Sequence, residues 1–499
     1  MKVPVLYGRE GMDGFRNEIG YISRKFSWNL SENWDGMAVA EFSETPAEVR
    51  NELLTFLETD EVDFSLEERF RHSLGKSSPE ILMAKHGLIA RIVDAVVYPG
   101  EERAQQILRL LLEHGFKAVI YGGGTSVSGS LLLTEGGKVV SIDTRNFRKF
   151  TLANNFAIVG AGLQGFEAER FANRSGLTLG NFPESFMHST IGGWVSTKAT
   201  GQESNFYGGT EELVLGVKME TSDGTLQDDL VPRESVGLQP RDLALGSDGR
   251  NGLITEVVMK TFPLPKERYY NSRIYSSFYE GIISLSRMRN FPAVARLSDE
   301  TETELALMGA GDSPALKFFR GYLRLRGYSK GSLLVIVNNN LALMPDRKNS
   351  ISTGPSPAKS WENGRYTRPG LANILWKSGM VPDTLETSAT WDKIWNLYSE
   401  TKKSFYSIKQ ERGFQGEIMA HLSHLYREGA CIYFTFIINR DDKLELLQAV
   451  RDRLIRTFTA NGGSVTHHHG KGRFFLPYMD SLLLKTQESY SDPLFGGER

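Results

Sequence analysis

Three groups of residues in this chain have the types and spacing for chemistry. In Ala118-Val-Ile-Tyr-Gly-Gly-Gly-Thr-Ser-Val-Ser-Gly129 an apolar strand pattern runs straight into three glycines and then hydroxyl residues. Gly122, Gly123 and Gly124 have no Cβ, so their main chain can take positive φ and approach a ligand closely. Successive N–H groups can then converge on one anion, with Thr125 and Ser126 as further donors. The composition describes a phosphate cradle; the alternative is a surface turn, because Gly and Ser punctuate any loop. The second group is His467, His468 and His469, which follow the turn Asn461-Gly-Gly463. Adjacent histidines suit a metal, and His421 and His424 could add ligands, but the triplet opens an internal loop and no metal is assigned to it. The third is Tyr433, inside the apolar run Ala430 to Ile438. Taken alone it reads as a core tyrosine with a satisfied hydroxyl.

Elements to hold these groups are legible around them. Ala95 to Tyr98 reads as a strand and Pro99-Gly100 as a turn. A helix from Glu101 to His114 follows, with Ala104, Ile107, Leu108, Leu111 and Leu112 on one face and Gly115 closing it. Lys117 to Tyr121 is the next strand, so the glycine loop follows a strand–helix–strand unit. Lys138 to Ile142 and Phe156 to Val159 are strands, and Gln164 to Ser175 is a helix. Between the last two lies Gly160-Ala-Gly162-Leu-Gln-Gly165, a formal dinucleotide fingerprint. It lacks the second strand ending in an acidic residue about 20 residues on, so it is read as a tight turn that needs small residues. Pro183 to Gly201 is again rich in Gly and hydroxyl residues and reads as built to lie against a flat ligand, with Trp194, like Trp391, a packing residue. Val217 to Thr221 and Leu253 to Phe262 are strands, Pro263-Leu-Pro265 marks a boundary, and Asp441 to Ala460 is the last long helix.

Composition narrows the class. With 499 residues, 40% hydrophobic, 24% charged and a net charge of -2, the chain reads as a soluble globular protein of several domains, and its charge gives no reason to expect nucleic acid. Cys431 is the only cysteine, which excludes intrachain disulfides and suits a reducing compartment. Arg9, Glu10, Asp13, Arg16 and Glu18 interrupt any apolar leader. No stretch approaches the roughly 20 apolar residues of a spanning helix.

Five segments carry a resemblance: Gly122-Gly-Gly-Thr-Ser-Val-Ser128, Ser189-Thr-Ile-Gly-Gly-Trp-Val-Ser196, Glu386-Thr-Ser-Ala-Thr-Trp-Asp392, Gly429-Ala-Cys-Ile-Tyr-Phe434 and Ala460-Asn-Gly-Gly-Ser-Val-Thr-His-His-His-Gly470. Over about residues 65 to 495 the chain resembles the flavoproteins that share their FAD domain with vanillyl-alcohol oxidase, and within them the alkylglycerone-phosphate synthases. The resemblance implies an α+β fold: a two-subdomain FAD-binding domain of the PCMH type and an α+β cap or substrate domain with an antiparallel sheet and helices. The expected division is a helical lead-in at 1–88, the FAD-binding domain at 89–265, the cap at 266–440, and a C-terminal segment at 441–499 returning the histidine triplet to the flavin.

Carried over position by position, FAD falls on four segments. They are Ile120, Tyr121, Gly122, Gly123, Gly124, Thr125 and Ser126; Pro183, Glu184, Ser185, Phe186, Met187, His188 and Ser189; Ser196, Thr197, Lys198 and Ala199; and Asp248, Gly249, Arg250, Asn251, Gly252, Leu253 and Ile254. The acid/base tyrosine falls on Tyr433, the essential triplet on His467, His468 and His469, and an active-site arginine on Arg296. The arginine expected to bind substrate falls on Ala372, with Arg365 and Arg368 nearby. The implied reaction exchanges the acyl chain of acyl-dihydroxyacetone phosphate for a fatty alcohol through a flavin N5 adduct, a step of ether lipid synthesis. As a base, Tyr433 would need cations to favour its phenolate, a part expected of protonated histidines or Arg296. The alternatives are an FAD-dependent dehydrogenase or oxidase of a 2-hydroxy acid, and a non-catalytic scaffold. The expected partner is a lipid-like or small organic-acid substrate, the expected location cytoplasmic, and both membrane-face contact and a homodimer stay open.

Overall fold

The computed structural model describes residues 42–495 apart from 134–135, 310–313, 341, 367–371, 373–374, 377–378 and 440–443. The first 41 residues of the lead-in, Arg368 and the start of the last long helix lie outside the described residues.

The first sheet has four strands: Val62–Asp63 (β1), Ala95–Val97 (β2), Phe116–Tyr121 (β3) and Lys138–Asp143 (β4), in the order β1-β2-β4-β3. β2 and β3 both run parallel to β4, which requires crossover connections. Helix Ala104–Glu113 (α1) joins β2 to β3 and buries Ala104, Ile107, Leu108 and Leu111 against Val97, Ala118, Val140 and Ile142. Gly115 ends it at φ +69.

The second sheet is antiparallel. Phe150–Leu152 (β5) and Phe156–Gly160 (β6) lead through helix Gly165–Asn173 (α2), strand Leu177–Thr178 (β7) and helix Ile191–Thr197 (α3). Val214–Glu220 (β8), Thr225–Gln227 (β9) and Leu253–Lys260 (β10) complete five strands in the order β5-β6-β10-β8-β9, and Phe262–Pro263 (β11) pairs with β7. The glycines of the apparent dinucleotide fingerprint serve packing. A Cβ at Gly160 would lie 2.3 Å from the Phe147 carbonyl oxygen, one at Gly162 1.8 Å from that of Thr144, and one at Gly165 2.3 Å from the Trp194 ring. The Gly- and hydroxyl-rich stretch 183–201 contains α3. The Thr190 hydroxyl accepts the Gly193 N–H at 3.3 Å at its start, and Lys198 in the left-handed region ends it.

The third sheet holds seven antiparallel strands: Arg268–Tyr275 (β12), Val294–Ser298 (β13), Ser332–Asn339 (β14), Ser350–Ser352 (β15), Val381–Thr390 (β16), Gly416–Leu425 (β17) and Gly429–Ile438 (β18). Their order is β15-β12-β14-β13-β17-β18-β16. Helix Pro314–Leu325 (α4) lies in sequence between β13 and β14, Trp391–Arg412 (α5) between β16 and β17, and Leu444–Ala460 (α6) after β18. Because side chains alternate along a strand, the sheet has two characters. Leu297, Leu385, Leu422 and Phe434 enter the large core shared with α5 and α6. Their neighbours Arg296, Glu386, His421 and Tyr433 project from the other face. No helix among the described residues is long and apolar enough to cross a membrane.

Candidate active site

The glycine loop leaves β3 packed against main chain. A Cβ on Gly122 would lie 2.4 Å from Thr190 Oγ1, and one on Gly123 2.1 Å from the His188 carbonyl oxygen, while Gly124 sits at φ +62. The loop is thus packed directly against the end of the segment 183–189. The other two segments close on them: Asp248 N–H donates to the Ser196 carbonyl at 2.8 Å, and a Cβ on Gly249 would lie 3.5 Å from Ile120 Cβ. Lys198 and Asp248 both take positive φ, 52 and 56, a costly conformation for residues with a Cβ.

Within these segments the side chains divide. Tyr121 packs its ring 4.0 Å from that of His72, and burial pushes its hydroxyl up to about 12. Phe186 stacks on Tyr366 at 5.0 Å, Pro183 and Ser189 are buried, and Glu184, Met187 and His188 are exposed. Thr125 is half-buried, and Ser126 Oγ lies 3.1 Å from Ser128 Oγ. Ser196 and Thr197 hydroxyls donate to the carbonyls of Gly192 and Gly193 at 3.0 and 2.9 Å, and the Ala199 carbonyl accepts from Thr210. The Arg250 carbonyl accepts the Asp492 N–H, Asn251 donates to the Leu243 carbonyl, and Gly252 takes φ +148 against Met219. Leu253 and Ile254 are buried core residues on β10. The sequence reading overlooked the segment around Lys76, whose N–H donates to the Ser126 carbonyl at 2.6 Å and whose amine is pushed down to about 8 by burial, against the pull of Glu80.

The second half of the site is a row across four adjacent strands. Glu386 of β16 and His421 of β17 both stand opposite Tyr433 of β18, and Ser298 of β13 stands opposite His421, which puts Arg296 at the end of the row. Glu386 is 1% exposed and organises the histidine loop. Its carboxylate accepts Thr466 Oγ1 at 2.7 Å and the main-chain N–H groups of His467, His468 and His469 at 2.5, 3.1 and 3.2 Å. Although burial pushes this carboxyl up, His469 and His467 and these donors hold it below its ordinary value. His469 Nδ1 lies 3.2 Å from Glu386 Oε1, and its Nε2 lies 3.3 Å from the Tyr433 hydroxyl. The same loop returns to the glycine-rich segments: Gly472 N–H donates to Asp248 Oδ2 at 3.0 Å, and a Cβ on Gly470 would lie 3.3 Å from Thr197.

The electrostatics differ from the expectation that cations stabilise the Tyr433 phenolate. Burial pushes this phenol well above its ordinary range, and Glu184 and Glu386 push the same way. Burial also lowers His467 and His469, and lowers His424 and His468 well below the ordinary histidine value with help from neighbouring histidines. Arg296 is engaged elsewhere, with Nη1 2.8 Å from His421 Nε2 and Nη2 2.5 Å from Glu302, while the His421 ring stacks on Tyr433 at 5.0 Å. Ligand atoms of Glu386, Cys431, His467 and His468 lie within 4.8 Å of one another, a metal-like donor set. Both Glu386 oxygens, however, already accept the hydrogen bonds that shape the loop. His424 Nδ1 meets Ser204 Oγ at 2.7 Å. Arg365 is bound to Glu203 at 2.9 Å, and Ala372 is half-buried. Trp194 and Trp391 are packing residues: the Trp194 indole donates to Ser189 Oγ at 2.8 Å and that of Trp391 to the Tyr426 carbonyl at 3.1 Å.

Comparison with known proteins gives the class. Residues 93–229 match an FAD binding domain, and residues 351–483 match the C-terminal domain of FAD linked oxidases; the chain is an FAD-dependent enzyme. It is similar over most of its length to alkyldihydroxyacetonephosphate synthases. That of Caenorhabditis elegans is 29% identical over 500 residues, 90% of this chain and 82% of the relative. That of Trypanosoma brucei brucei is 28% identical over 460 residues, 86% and 75%. A solved structure of an alkyldihydroxyacetonephosphate synthase has the same fold, with a TM-score of 0.81 at 23% identity over 97% of this chain and 92% of that one. The glycine loop suits FAD: with no Cβ at Gly122 and Gly123 and with Gly124 at φ +62, its main chain can turn N–H groups toward a pyrophosphate.

Proposed function

We propose that this enzyme forms alkyldihydroxyacetone phosphate by exchanging the acyl chain of acyl-dihydroxyacetone phosphate for a long-chain alcohol. The exchange is redox-neutral. The bond from the substrate carbon to the ester oxygen breaks, the fatty acid leaves as its carboxylate with the electron pair, and the alcohol oxygen bonds to that carbon as its proton departs. The observation that carries the reading is the alignment of Tyr433 Oη and Glu386, on adjacent strands, with His469, on a loop tied to the glycine-rich FAD-binding segments.

In this reading, the segments 120–126, 183–189, 196–199 and 248–254 hold the cofactor, with the glycine loop at its pyrophosphate. Bound FAD supplies an electrophilic ring able to hold the substrate carbon. Tyr433 exchanges the proton of that carbon. The Glu386 carboxylate fixes the proton of His469 on Nδ1, so the Nε2 lone pair faces the Tyr433 hydroxyl, as in triads where a carboxylate sets an imidazole tautomer. The phenol can then pass its proton to His469 without cations around it, and Glu386 stabilises the imidazolium that forms. Arg296 and Glu302 hold His421 flat against the Tyr433 ring, fixing its direction. Long-chain substrates partition into lipid, so we place the enzyme at a membrane face.

The test is to incubate the yellow protein with acyl-dihydroxyacetone phosphate and a fatty alcohol and to detect the ether product by mass spectrometry. Rapid flavin reduction by a 2-hydroxy acid, without ether product, would contradict the proposal.

A further inference from the structure

Helix α4 carries apolar side chains on two sides. Leu323 is buried on one side, in a cluster with Ile274, Val294 and Val335, and Phe319 packs against it. On the other side Phe318, Tyr322 and Leu325, spaced i, i+4 and i+7, make a second stripe. Phe318 is 80% exposed and Leu325 86%. A helix needs only one apolar face to pack on its own protein, so a second stripe of this size marks a surface that meets something apolar.

The charge around the stripe identifies what that is. Residues 314–330 hold Lys317, Arg320, Arg324, Arg326 and Lys330 and no carboxylate, in a chain whose net charge is -2. Arg320 turns inward to the Leu307 carbonyl at 2.6 Å, which leaves Lys317, Arg324, Arg326 and Lys330 exposed beside the stripe. We propose that this face docks on the surface of an anionic phospholipid bilayer. Phe318, Tyr322 and Leu325 enter the boundary between headgroups and acyl chains, and the four cations lie among the lipid phosphates, the arrangement of an interfacial amphipathic helix. The cluster beneath α4 lies on the sheet face that bears the site: Val335 stands directly opposite Arg296. Docking therefore brings the lipid to the side of the sheet from which Tyr433 projects. The surface rests on the helix alone and not on the proposed reaction, and its test uses no substrate.

The full-length flavoprotein is floated with vesicles of mixed phosphatidylglycerol and phosphatidylcholine, and with phosphatidylcholine alone. Binding is expected to the anionic vesicles only and to weaken as salt shortens the screening length. Phe318→Ser with Leu325→Ser, by removing apolar surface that enters the lipid, and separately Lys317→Glu with Arg324→Glu, by reversing two cations among the phosphates, each lower the partition at least about tenfold. Lys403→Glu on exposed α5 leaves it unchanged. All these positions are solvent-exposed, so flavin content and melting temperature stay at the parent value. Equal binding to neutral vesicles, binding indifferent to the α4 substitutions, or a dimer in solution that Phe318→Ser with Leu325→Ser dissociates would overturn the proposal, the last because a second copy then covers the stripe.

Discussion

Glu386→Gln removes one charge and almost no volume from the point where the histidine loop is fastened. The carboxylate accepts Thr466 Oγ1 and three consecutive main-chain N–H groups and faces His469 Nδ1. A glutamine oxygen can keep the donors of Thr466, His468 and His469, but its amide N–H₂ must then face the His467 N–H, donor against donor. The loss of a charge-assisted bond and the stranding of a buried donor cost about 1–3 kcal/mol each, together about 2–6 kcal/mol. The catalytic effect is separate. Without the anion, the imidazolium that forms when His469 Nε2, 3.3 Å from Tyr433 Oη, takes the phenol proton loses its stabilising charge, and turnover falls by about 10²–10⁴-fold, the range of general acid–base catalysis. Denaturant unfolding and steady-state turnover across pH, with flavin content measured alongside, read the two effects. A Glu386→Gln protein with parent stability and parent turnover would refute the role given to this carboxylate.

Tyr433→Phe removes only hydrogen bonds of 3.3 and 3.4 Å, so stability changes by about 1 kcal/mol or less. Flavin content holds while turnover falls at least about 10²-fold, checked by melting, absorbance and product assay on one preparation. Gly123→Ala places a Cβ 2.1 Å from the His188 carbonyl, forcing the glycine loop away from the segment 183–189; the purified protein is expected to lose flavin absorbance per chain while its circular dichroism stays unchanged. His424, His467, His468 and His469 all have lowered folded values against an ordinary value of about 6.5. Below that value the unfolded chain binds protons the folded chain refuses. Stability is therefore fully present above about pH 6.5 and is lost as pH falls, by up to about 1.4 kcal/mol per pH unit for each histidine. Urea unfolding at about pH 7.5 and about pH 5.5 measures the slope, which His468→Gln should reduce.

Elements set by local periodicity were legible in the sequence. Helix α1 buries the face that its 3.6-residue spacing marks out, and the glycine fingerprint at 160–165 was read correctly as a turn because the second half of a dinucleotide site is missing. Helix α3 was hidden, since Ile191-Gly-Gly-Trp-Val-Ser-Thr197 has the composition of a loop. It forms because Thr190 caps it and because Gly192 lets it approach Ala161, where a Cβ would lie 2.8 Å away. The part played by Glu386 was hidden for a different reason. It depends on a register that sets residue 386 opposite residue 433 and residue 433 opposite residue 421, and such non-local pairing leaves no local pattern. The available signal was Glu386 itself, which opens the segment Glu386 to Asp392. The expectation of cations around Tyr433 failed because counting nearby basic residues does not show which partner each already holds: Arg296 faces His421 and Glu302, and the histidines are desolvated.

The most direct test of the central claim is an anaerobic turnover with acyl-dihydroxyacetone phosphate and a fatty alcohol labelled with heavy oxygen, following the flavin spectrum and the products together. The account predicts an ether that keeps the label, an unlabelled fatty acid released in equal amount, and no net flavin reduction at the end of the reaction. Accumulation of reduced flavin, or release of label into the fatty acid, would contradict it.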